Sequence, residues 1–157
     1  MRPDFPLPDV TWEPTAEYWA GAARGELRLP RCTSCERFRW YPEDVCRHCG
    51  EQAPVAWTTA SGRGVLFSWV VVTHAFLKPF ASKVPFVSAL VAIDEDPEVR
   101  LPTQIVDCDP DALSFDMPVM VTFRPLSFEG VDGTVMAPLF APATTSLPGV
   151  SRPSGAG

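Results

Sequence analysis

The sequence is short of positive charge, and this shortage limits the macromolecules that it can bind. Its 157 residues include 13 lysines and arginines against 19 aspartates and glutamates, which gives a formal net charge of -6. Non-specific affinity for DNA or RNA comes largely from Lys and Arg side chains that replace counterions around phosphates. We therefore expect no nucleic-acid partner.

Long apolar runs and a secretory leader are also missing. No stretch approaches the roughly 18 uninterrupted apolar residues of a membrane-spanning helix, and residues 1–20 lack a basic start followed by an apolar run. We therefore expect a cytoplasmic protein without a membrane partner. In a reducing compartment, paired cysteines bind metal far more often than they form disulfides.

Groups suited to covalent catalysis are scarce as well. The sequence has two histidines, His48 and His74, and no Gly-x-Ser-x-Gly segment that would present a nucleophilic serine. No nucleophile can be paired with a base, so we predict no catalytic residues. The unpaired fifth cysteine, Cys108, lies in an apolar strand-like run and is interpreted as a buried, inert thiol.

Four cysteines form the most specific motif in the chain. Cys32 and Cys35 form one Cys-x-x-Cys pair, and Cys46 and Cys49 form a second pair after ten intervening residues. Each pair can wrap a turn around one tetrahedral metal ion, so the four thiolates predict one structural zinc site. Gly50 directly follows the second pair and offers the positive φ that such a turn often requires.

Two alternatives to zinc remain open from the residues alone. The cysteines could form two disulfides or stay free, and four thiolates in this arrangement could also hold iron in a redox protein. His48 lies between two of the cysteines, but four thiolates already complete a tetrahedron. We therefore interpret His48 as a surface residue and not as a ligand.

The pattern of apolar residues predicts a mainly β fold in four parts. These are an N-terminal arm and helix (1–25), the zinc ribbon (26–58), an OB-fold barrel (59–141) and a disordered tail (142–157). The helix is placed at 15–24, with Thr15 as its cap and Gly25 at its end. In the ribbon, alternating basic and aromatic residues at 37–41 predict one strand of a small hairpin.

Five strand-like runs follow the ribbon, with a single helical turn at 109–113 between the third and the fourth. The runs are 65–75, 86–94, 99–108, 119–123 and 134–140. Five strands with such a turn match a small OB-type barrel better than a sandwich, which usually needs about seven strands.

Aromatic residues are concentrated in the arm, the helix and the ribbon. Such rings are costly to expose on short elements, so we expect either packing inside the same chain or a docking surface for another protein. Under the docking hypothesis, the partner interface comprises Trp12, Tyr18, Trp19, Phe38 and Trp40.

The order of these features resembles one known family. The likeness covers about residues 12–141 and includes the Arg-Gly-Glu-Leu helix end at 24–27, the four-cysteine ribbon, the Gly-Arg-Gly turn at 62–64, the apolar segment 85–94 and Met-Pro-Val at 117–119. It resembles the acyl-CoA-associated OB-fold family with a rubredoxin-like zinc ribbon. Relatives usually carry glycine where this chain has Asp96 and Asp116, so we expect those two turns to differ.

The resemblance implies a non-catalytic accessory subunit of an acyl-CoA-processing complex. Its implied partner is a thiolase-like enzyme, either a thiolase or a retro-aldolase that shortens steroid side chains, and a MaoC-type enoyl-CoA hydratase is the alternative. The implied assembly is a hetero-oligomer such as a heterotetramer, in which the subunit holds its partner and helps to shape an acyl-CoA channel. A nucleic-acid-binding module is the alternative of another class, since ribbons and OB barrels also occur there.

One loop has the composition expected of an acyl-CoA site. A CoA ligand carries phosphates and a long, weakly polar arm, so its host should offer isolated cations beside an apolar slot. The loop at 76–85 contains the only two lysines of the chain among aromatic residues, and the candidate contacts are Arg63, His74, Lys78, Phe80, Lys83 and Phe86. Solvated charges on an ordinary loop, and a histidine with a structural hydrogen bond, are the alternative interpretations.

Overall fold

The structure, a computed structural model, describes residues 4–143 of the chain. The elements in order are α1 (Glu13–Ala23), β1 (Arg28–Cys32), β2 (Val55–Thr59), β3 (Arg63–Val72), β4 (Phe86–Ile93), β5 (Asp96–Ile105), β6 (Pro118–Leu126) and β7 (Val135–Pro142), with 3₁₀ turns at Lys78–Phe80 and Pro110–Ala112. The predicted tail at 142–157 falls outside this description except for Pro142, which ends β7, and Ala143. Among residues 4–143, no helix has the length and hydrophobicity needed to cross a membrane.

The last five strands close into a barrel, which confirms the predicted OB fold. The strand order is β3-β4-β5-β7-β6, and β6 pairs back onto β3. Neighbouring strands are antiparallel except for β5 and β7, which meet in parallel at Ile105 and Phe140. The interior is filled by apolar side chains such as Leu66, Val91 and Phe140, each at most 1% exposed. Every strand has two neighbours, but the closing contacts are short, with one residue pair between β5 and β7 and three between β3 and β6.

Gly64 is the residue at which the barrel closes. It pairs with Ile93 on β4 and with Val119 on β6, so two strands approach it from opposite sides. A Cβ atom at this position would lie 2.4 Å from the carbonyl oxygen of Ala92, which is closer than real Cβ atoms come. Only glycine therefore permits this approach of the two backbones.

Helix α1 begins two residues earlier than predicted. Trp12 is its N-cap residue and Pro14 lies in the first turn, where the missing N–H of proline leaves no bond unmade. Thr15 is therefore buried within the helix, and its assignment as the cap is wrong. Gly25 follows the end of the helix with a φ of 75°, as predicted.

The ribbon contains a two-stranded sheet, but not the hairpin that was predicted at 37–41. Its strand β1 pairs in antiparallel with β2, which follows the second cysteine pair. The segment at 37–41 makes a single bridge, from Phe38 to Arg31. Two backbone hydrogen bonds flank this bridge, from the N–H of Cys32 to the carbonyl oxygen of Arg37 and from the N–H of Arg39 to that of Pro30, and the pairing with β1 ends there. Trp40 follows, with its ring 4.7 Å from that of Tyr18 on α1.

The third strand of the barrel ends earlier than its composition suggested. Strand β5 stops at Ile105, and Asp107 then adopts a φ of 56°, which no strand accommodates. Cys108 consequently lies outside the strand and is only partly buried, with its Sγ 3.4 Å from the carbonyl oxygen of Asp109, so the buried strand position is wrong. The helical turn that follows is confirmed, because the side chain of Asp109 accepts a hydrogen bond from the N–H of Asp111.

The two aspartates that replace glycine have different environments. Asp116 has a φ of 59°, so its turn keeps a backbone conformation that favours glycine. Asp96 lies at the start of β5 and is 5% exposed. Its carboxylate accepts hydrogen bonds of 2.7 and 2.8 Å from Nε and Nη2 of Arg37 in the ribbon. This bidentate pair joins the ribbon to the barrel, and it lowers the pKa of Asp96.

We predict that Asp96→Asn lowers the free energy of unfolding by about 1 to 3 kcal/mol. The substitution removes the negative charge of the nearly buried carboxylate that accepts two hydrogen bonds from Arg37. Urea unfolding of the zinc-loaded protein measures this loss. The matched control is Glu98→Gln, since Glu98 also contacts Arg37 at 3.1 Å but its side chain is 68% exposed. We expect that control to change stability by less than about 1 kcal/mol.

The difference between wild type and Asp96→Asn should depend on pH in a specific way. The carboxyl of Asp96 has a lower pKa in the folded protein than in the unfolded one, where it is about 3.9. Its stabilising contribution is therefore complete above the unfolded pKa and is lost as the pH falls through the folded pKa. The difference should therefore be constant between about pH 5 and 8 and shrink only below about pH 4. A difference that changes with pH near neutrality would contradict this assignment.

Candidate metal centre and ligand surface

The four cysteines of the ribbon converge on one point. Their Sγ atoms all lie within 4.8 Å of one another. Cys32 and Cys49 are 3.9 Å apart, and Cys35 and Cys46 are 3.7 Å apart. Four sulfurs bound at about 2.3 Å to a tetrahedral zinc are separated by about 3.8 Å, whereas a disulfide needs about 2.05 Å. The donor set therefore fits one zinc ion, and the disulfide alternative does not hold.

Both cysteine pairs lie in the same kind of turn. The residue after each pair, Glu36 or Gly50, has a positive φ of 60° or 74°. In each turn the N–H of this residue donates to the carbonyl oxygen of the first cysteine, over 2.9 Å to Cys32 and 2.8 Å to Cys46. The glycine was predicted from the sequence. Glu36 was missed, although its equivalent position after Cys35 was a usable signal.

The backbone of these turns stabilises the thiolate form that zinc binds. The N–H group of Cys49 lowers the pKa of the Cys46 thiol to about 6, and that of His48 adds a smaller contribution. The pKa of Cys32 is lowered chiefly by the N–H groups of Cys35 and Ser34. Hydrogen bonds donated to the charged form of a group favour that form. The turns therefore favour the thiolate at Cys32 and Cys46. Cys49 differs: the N–H of Glu51 lowers its pKa, but burial and the neighbouring sulfurs outweigh this and raise the pKa to about 11.

The metal centre has no room for catalysis. Four thiolates complete a tetrahedron, and no position is left for water or substrate. His48 contributes no atom to the cluster and instead lies with Nδ1 3.4 Å from a carboxylate oxygen of Glu98. It was expected to lie outside the ligand set, and the geometry agrees. The centre is a structural one.

Tyr18 and its neighbours pack inside the chain. Tyr18 is 6% exposed, and its ring lies 5.0 Å from that of Trp19 and 4.7 Å from that of Trp40. Burial raises the pKa of Tyr18 above its ordinary value. Packing inside the same chain was the alternative expected from the sequence, and for Tyr18 it is the observed arrangement.

Trp12 is the most exposed of the five residues assigned to the partner interface. It is 46% exposed and stacks on Tyr41, with ring centroids 5.8 Å apart. Tyr41 is itself 44% exposed and was not predicted. Phe38 is partly buried, and the Arg31 guanidinium lies 5.8 Å from its ring. Trp12 and Tyr41 are therefore the most exposed rings of this region.

Three of the six candidate acyl-CoA residues, His74, Phe80 and Phe86, line one cavity at the end of the barrel where β3 ends and β4 begins. This cavity has a volume of about 170 Å³, and Val72 also lines it. Lys78 lines a separate cavity with Glu129 and Val131. Phe80 has its ring 6.4 Å from that of Phe86. His74 lies 5.5 Å from the exposed ring of Phe76. The structure thus assembles an apolar slot from the loop that the sequence indicated.

Phe128 belongs to the same cluster and was missed by the sequence analysis. Its ring lies 4.8 Å from that of Phe80, and the Nζ atom of Lys83 lies 5.6 Å from its centroid. Phe128 is in the loop between β6 and β7, far along the chain from the loop at 76–85. No local pattern links two loops of this separation, so only the fold reveals the contact.

Arg63 does not join this cluster. It begins β3, whereas the cavity lies beyond the other end of that strand at Val72. Nine residues of extended chain span about 30 Å. Arg63 instead forms an ion pair of 3.4 Å with Asp94.

Three exposed cations, two of them on the loop at 76–85, form no ion pair within the described part of the chain. Within residues 4–143, Lys78, Lys83 and Arg100 are exposed and have no carboxylate within ion-pair distance, whereas the other exposed or half-buried arginines each have one. Phe76 on the same loop is 92% exposed and Leu77 is 46% exposed. A surface that combines free cations with exposed apolar groups suits an anionic, amphipathic ligand.

Two family models match the chain in succession. The rubredoxin-like zinc ribbon domain of ChsH2 matches residues 19–55, and the C-terminal OB-fold domain of ChsH2 matches residues 57–124. Together they account for the ribbon and most of the barrel, in the order seen in the structure.

Relatives of known description include scaffold proteins and one enzyme subunit. The chain is 30% identical to a DUF35 domain-containing scaffold protein of Methanocaldococcus jannaschii, over 67% of this chain and 72% of that protein. It is also 30% identical to one of Methanothermobacter thermautotrophicus, over 71% and 82%. The 3-oxo-4,17-pregnadiene-20-carboxyl-CoA hydratase alpha subunit of Mycobacterium tuberculosis is 32% identical over 77% of this chain, which spans 39% of that longer protein.

Solved structures agree with this assignment. A chain of the Ltp2-ChsH2(DUF35) aldolase superposes with a TM-score of 0.69 at 29% identity, and the match covers 87% of this chain and 98% of that one. A DUF35 protein of Sulfolobus solfataricus has the same fold, with a TM-score of 0.51 at 13% identity over 86% of this chain and 89% of that one. This chain therefore belongs to the DUF35 family, as a member with a ChsH2-type zinc ribbon followed by a ChsH2-type OB-fold domain.

Proposed function

We propose that this chain is a non-catalytic accessory subunit of an acyl-CoA-processing complex. It holds a thiolase-like enzyme and contributes one wall of the channel that the acyl-CoA occupies. The observation that carries the proposal is the loop at 76–85, where two lysines without carboxylate partners lie beside an apolar cavity and a Phe76 ring that is 92% exposed. In a free protein such a surface is costly, and a partner with its ligand would cover it.

The described residues offer no catalytic apparatus to this subunit. The metal centre has four thiolate ligands and no open position. His74 is exposed, and within residues 4–143 no hydrogen bond or ion pair joins it to a nucleophile or a carboxylate. The chemistry of the complex therefore belongs to the partner enzyme, and this chain supplies position and shape.

The relatives support an enzyme partner of this class. One solved relative is part of an aldolase with Ltp2, and this favours the thiolase-like partner that the sequence resemblance implies. One curated relative is the alpha subunit of an acyl-CoA hydratase, and this supports a MaoC-type hydratase as the second candidate. The archaeal relatives are described as scaffold proteins, which fits a subunit that holds other chains.

A nucleic-acid function finds little support on the ribbon. Arg31, Arg37 and Arg47 each lie within 4 Å of a carboxylate, from Glu36, Asp96 or Glu43. Neutralised arginines do not release counterions from a phosphate backbone as free ones do. The ribbon therefore lacks the basic groove that single strands require.

Purification of the native complex tests the proposed function directly. The tagged, zinc-loaded full chain is expected to co-purify with a thiolase-like enzyme or a MaoC-type hydratase in a stable hetero-oligomer, and the recovered complex should turn over an acyl-CoA. Mass spectrometry identifies the partner, and light scattering gives the stoichiometry. Recovery of the chain alone, or with no acyl-CoA enzyme, would refute the proposal.

Removal of two metal ligands should abolish both the fold of the ribbon and the complex. Cys32→Ser with Cys35→Ser is expected to lose one zinc per chain, because a structural zinc contributes on the order of 10 kcal/mol to the folding of so small a module. Metal analysis, circular dichroism and co-purification measure these losses. Cys108→Ser is the control and should retain zinc and partner. A colourless wild-type protein with one zinc per chain would also dispose of the iron alternative.

Lys78→Ala and Lys83→Ala together are expected to weaken acyl-CoA binding by the complex at least 10-fold, about 1.4 kcal/mol, since they remove the two cations without carboxylate partners on the loop that borders the cavity. Calorimetry on the assembled complex measures the dissociation constant. Arg63→Ala is the matched control, because it removes a cation from the opposite end of β3. If the lysine variant and the control bind acyl-CoA with equal affinity, the two lysines are ordinary solvent-exposed charges that do not contact the ligand.

A further inference from the structure

The outer surface of strands β3, β4 and β5 combines six apolar residues with three small or uncharged polar ones, Ser68, Ser88 and Gln104. On β4, Val87, Ala89 and Val91 point into the barrel and are at most 5% exposed. Successive side chains of a strand alternate between its two sides. The half-buried residues that alternate with them, Phe86, Ser88 and Leu90, therefore point outwards.

The strand register extends this surface across three strands. Val72 pairs with Phe86, so the two side chains stand next to each other on the outside. Leu90 pairs with Pro102 on β5. Val70, two residues before Val72, is 59% exposed. Ser88 lies opposite Val70 on one side and opposite Gln104 on the other, and Ser68 lies opposite Leu90. We call this surface the outer face; its apolar residues are Phe67, Val70, Val72, Phe86, Leu90 and Pro102, and it also contains Arg100, Ser68, Ser88 and Gln104.

A single charge lies on the outer face, and it is positive. The guanidinium of Arg100 is 3.8 Å from the centroid of the Phe67 ring, and Phe67 is 39% exposed. Arg100 has no carboxylate within ion-pair distance among residues 4–143, in a chain whose net charge is -6. An arginine stacked on an aromatic ring and surrounded by apolar groups is the kind of residue that anchors protein interfaces.

The outer face leads directly into the cavity at the end of the barrel. Val72 and Phe86 belong to both surfaces, since they also line the cavity of about 170 Å³. A protein seated on the outer face would therefore extend over the cavity and the exposed Phe76. The two sites would then form one continuous, partly enclosed surface.

We propose that the outer face docks the partner enzyme, through an apolar patch on that enzyme with a carboxylate opposite Arg100. This inference rests on the proposed function and adds to it the location and the chemistry of the interface. Docking at this place makes the cavity of the 76–85 loop a channel with two walls, one from each protein. The aromatic residues of the arm and ribbon are not needed for this contact.

The area of the outer face is large enough for the centre of a protein–protein interface but too small for a complete one. Three strands at a spacing of about 4.8 Å, over about six residues, cover on the order of 300 Å². A stable complex buries about 800 Å² on each partner. The remainder must come from the adjoining loop, where Phe76 and Leu77 are exposed.

Two substitutions on the outer face and one outside it test this proposal. They are made in the zinc-loaded full chain, and binding is measured with the purified enzyme that co-purifies with the wild type. Val70→Glu is expected to raise the dissociation constant at least 30-fold, because it replaces a 59% exposed apolar side chain of the face with a carboxylate. Arg100→Glu is expected to raise it about 10-fold and to abolish its increase with salt. Met120→Glu on β6, also an exposed apolar residue at 39%, should leave it within twofold.

The controls separate this proposal from the proposed function. Zinc content and thermal unfolding of each variant must match the wild type, and Val72→Thr serves as a milder substitution if Val70→Glu does not fold. If the Val70 and Arg100 variants bind the partner enzyme with unchanged affinity, the outer face is not the docking site, but the accessory role of the chain still stands. Failure of the wild type to bind any acyl-CoA enzyme would refute both. Binding of oligothymidine that Val70→Glu abolishes would reassign the face to nucleic acid.

Discussion

The bonding of four thiolates to one metal ion is the constraint on which the N-terminal half of this protein depends. The sheet of the ribbon has only two strands of five residues each, β1 and β2. A two-stranded sheet is marginally stable in water by itself. The metal must therefore hold the two cysteine turns together. The backbone N–H groups of those turns favour the thiolate form of Cys32 and Cys46, which is the form that binds the metal. The ribbon then joins the barrel through the ion pair of Arg37 and Asp96.

The barrel has a different source of order. Its strands are held by hydrogen bonds that close on themselves and by a fully buried interior, and Gly64 permits the closing contact. The surfaces that the barrel offers for recognition are its loops and its outer surface. Exposed apolar groups and cations without partners are concentrated in those places. The protein thus separates its tasks: the metal gives shape to the ribbon, and the barrel presents the surfaces.

Several features were predictable from the sequence because they depend on local chemistry. The four ligands followed from the spacing of the cysteines, and Gly50 followed from the backbone that a cysteine turn needs. The five strands and the turn capped by Asp109 followed from side-chain alternation and from capping. Two assignments were wrong for different reasons. Thr15 was assigned as the cap although its neighbour Pro14 is compatible with the first helical turn, so the helix begins at Glu13. The strand expected at 37–41 is reduced to a single bridge at Phe38, and the next residue but one, Trp40, packs on the distant Tyr18.

The sequence by itself determined the metal ligands, the β architecture and the loop rich in lysine and phenylalanine, since each rests on residue type and short-range spacing. Only the tertiary structure decided which distant residues share a surface. It separated Arg63 from the loop by the length of β3, and it brought Phe128 next to Phe80. It also stacked Arg100 over Phe67, across the strand between them. Strand register and barrel closure set these distances, and neither can be read from neighbours in the chain.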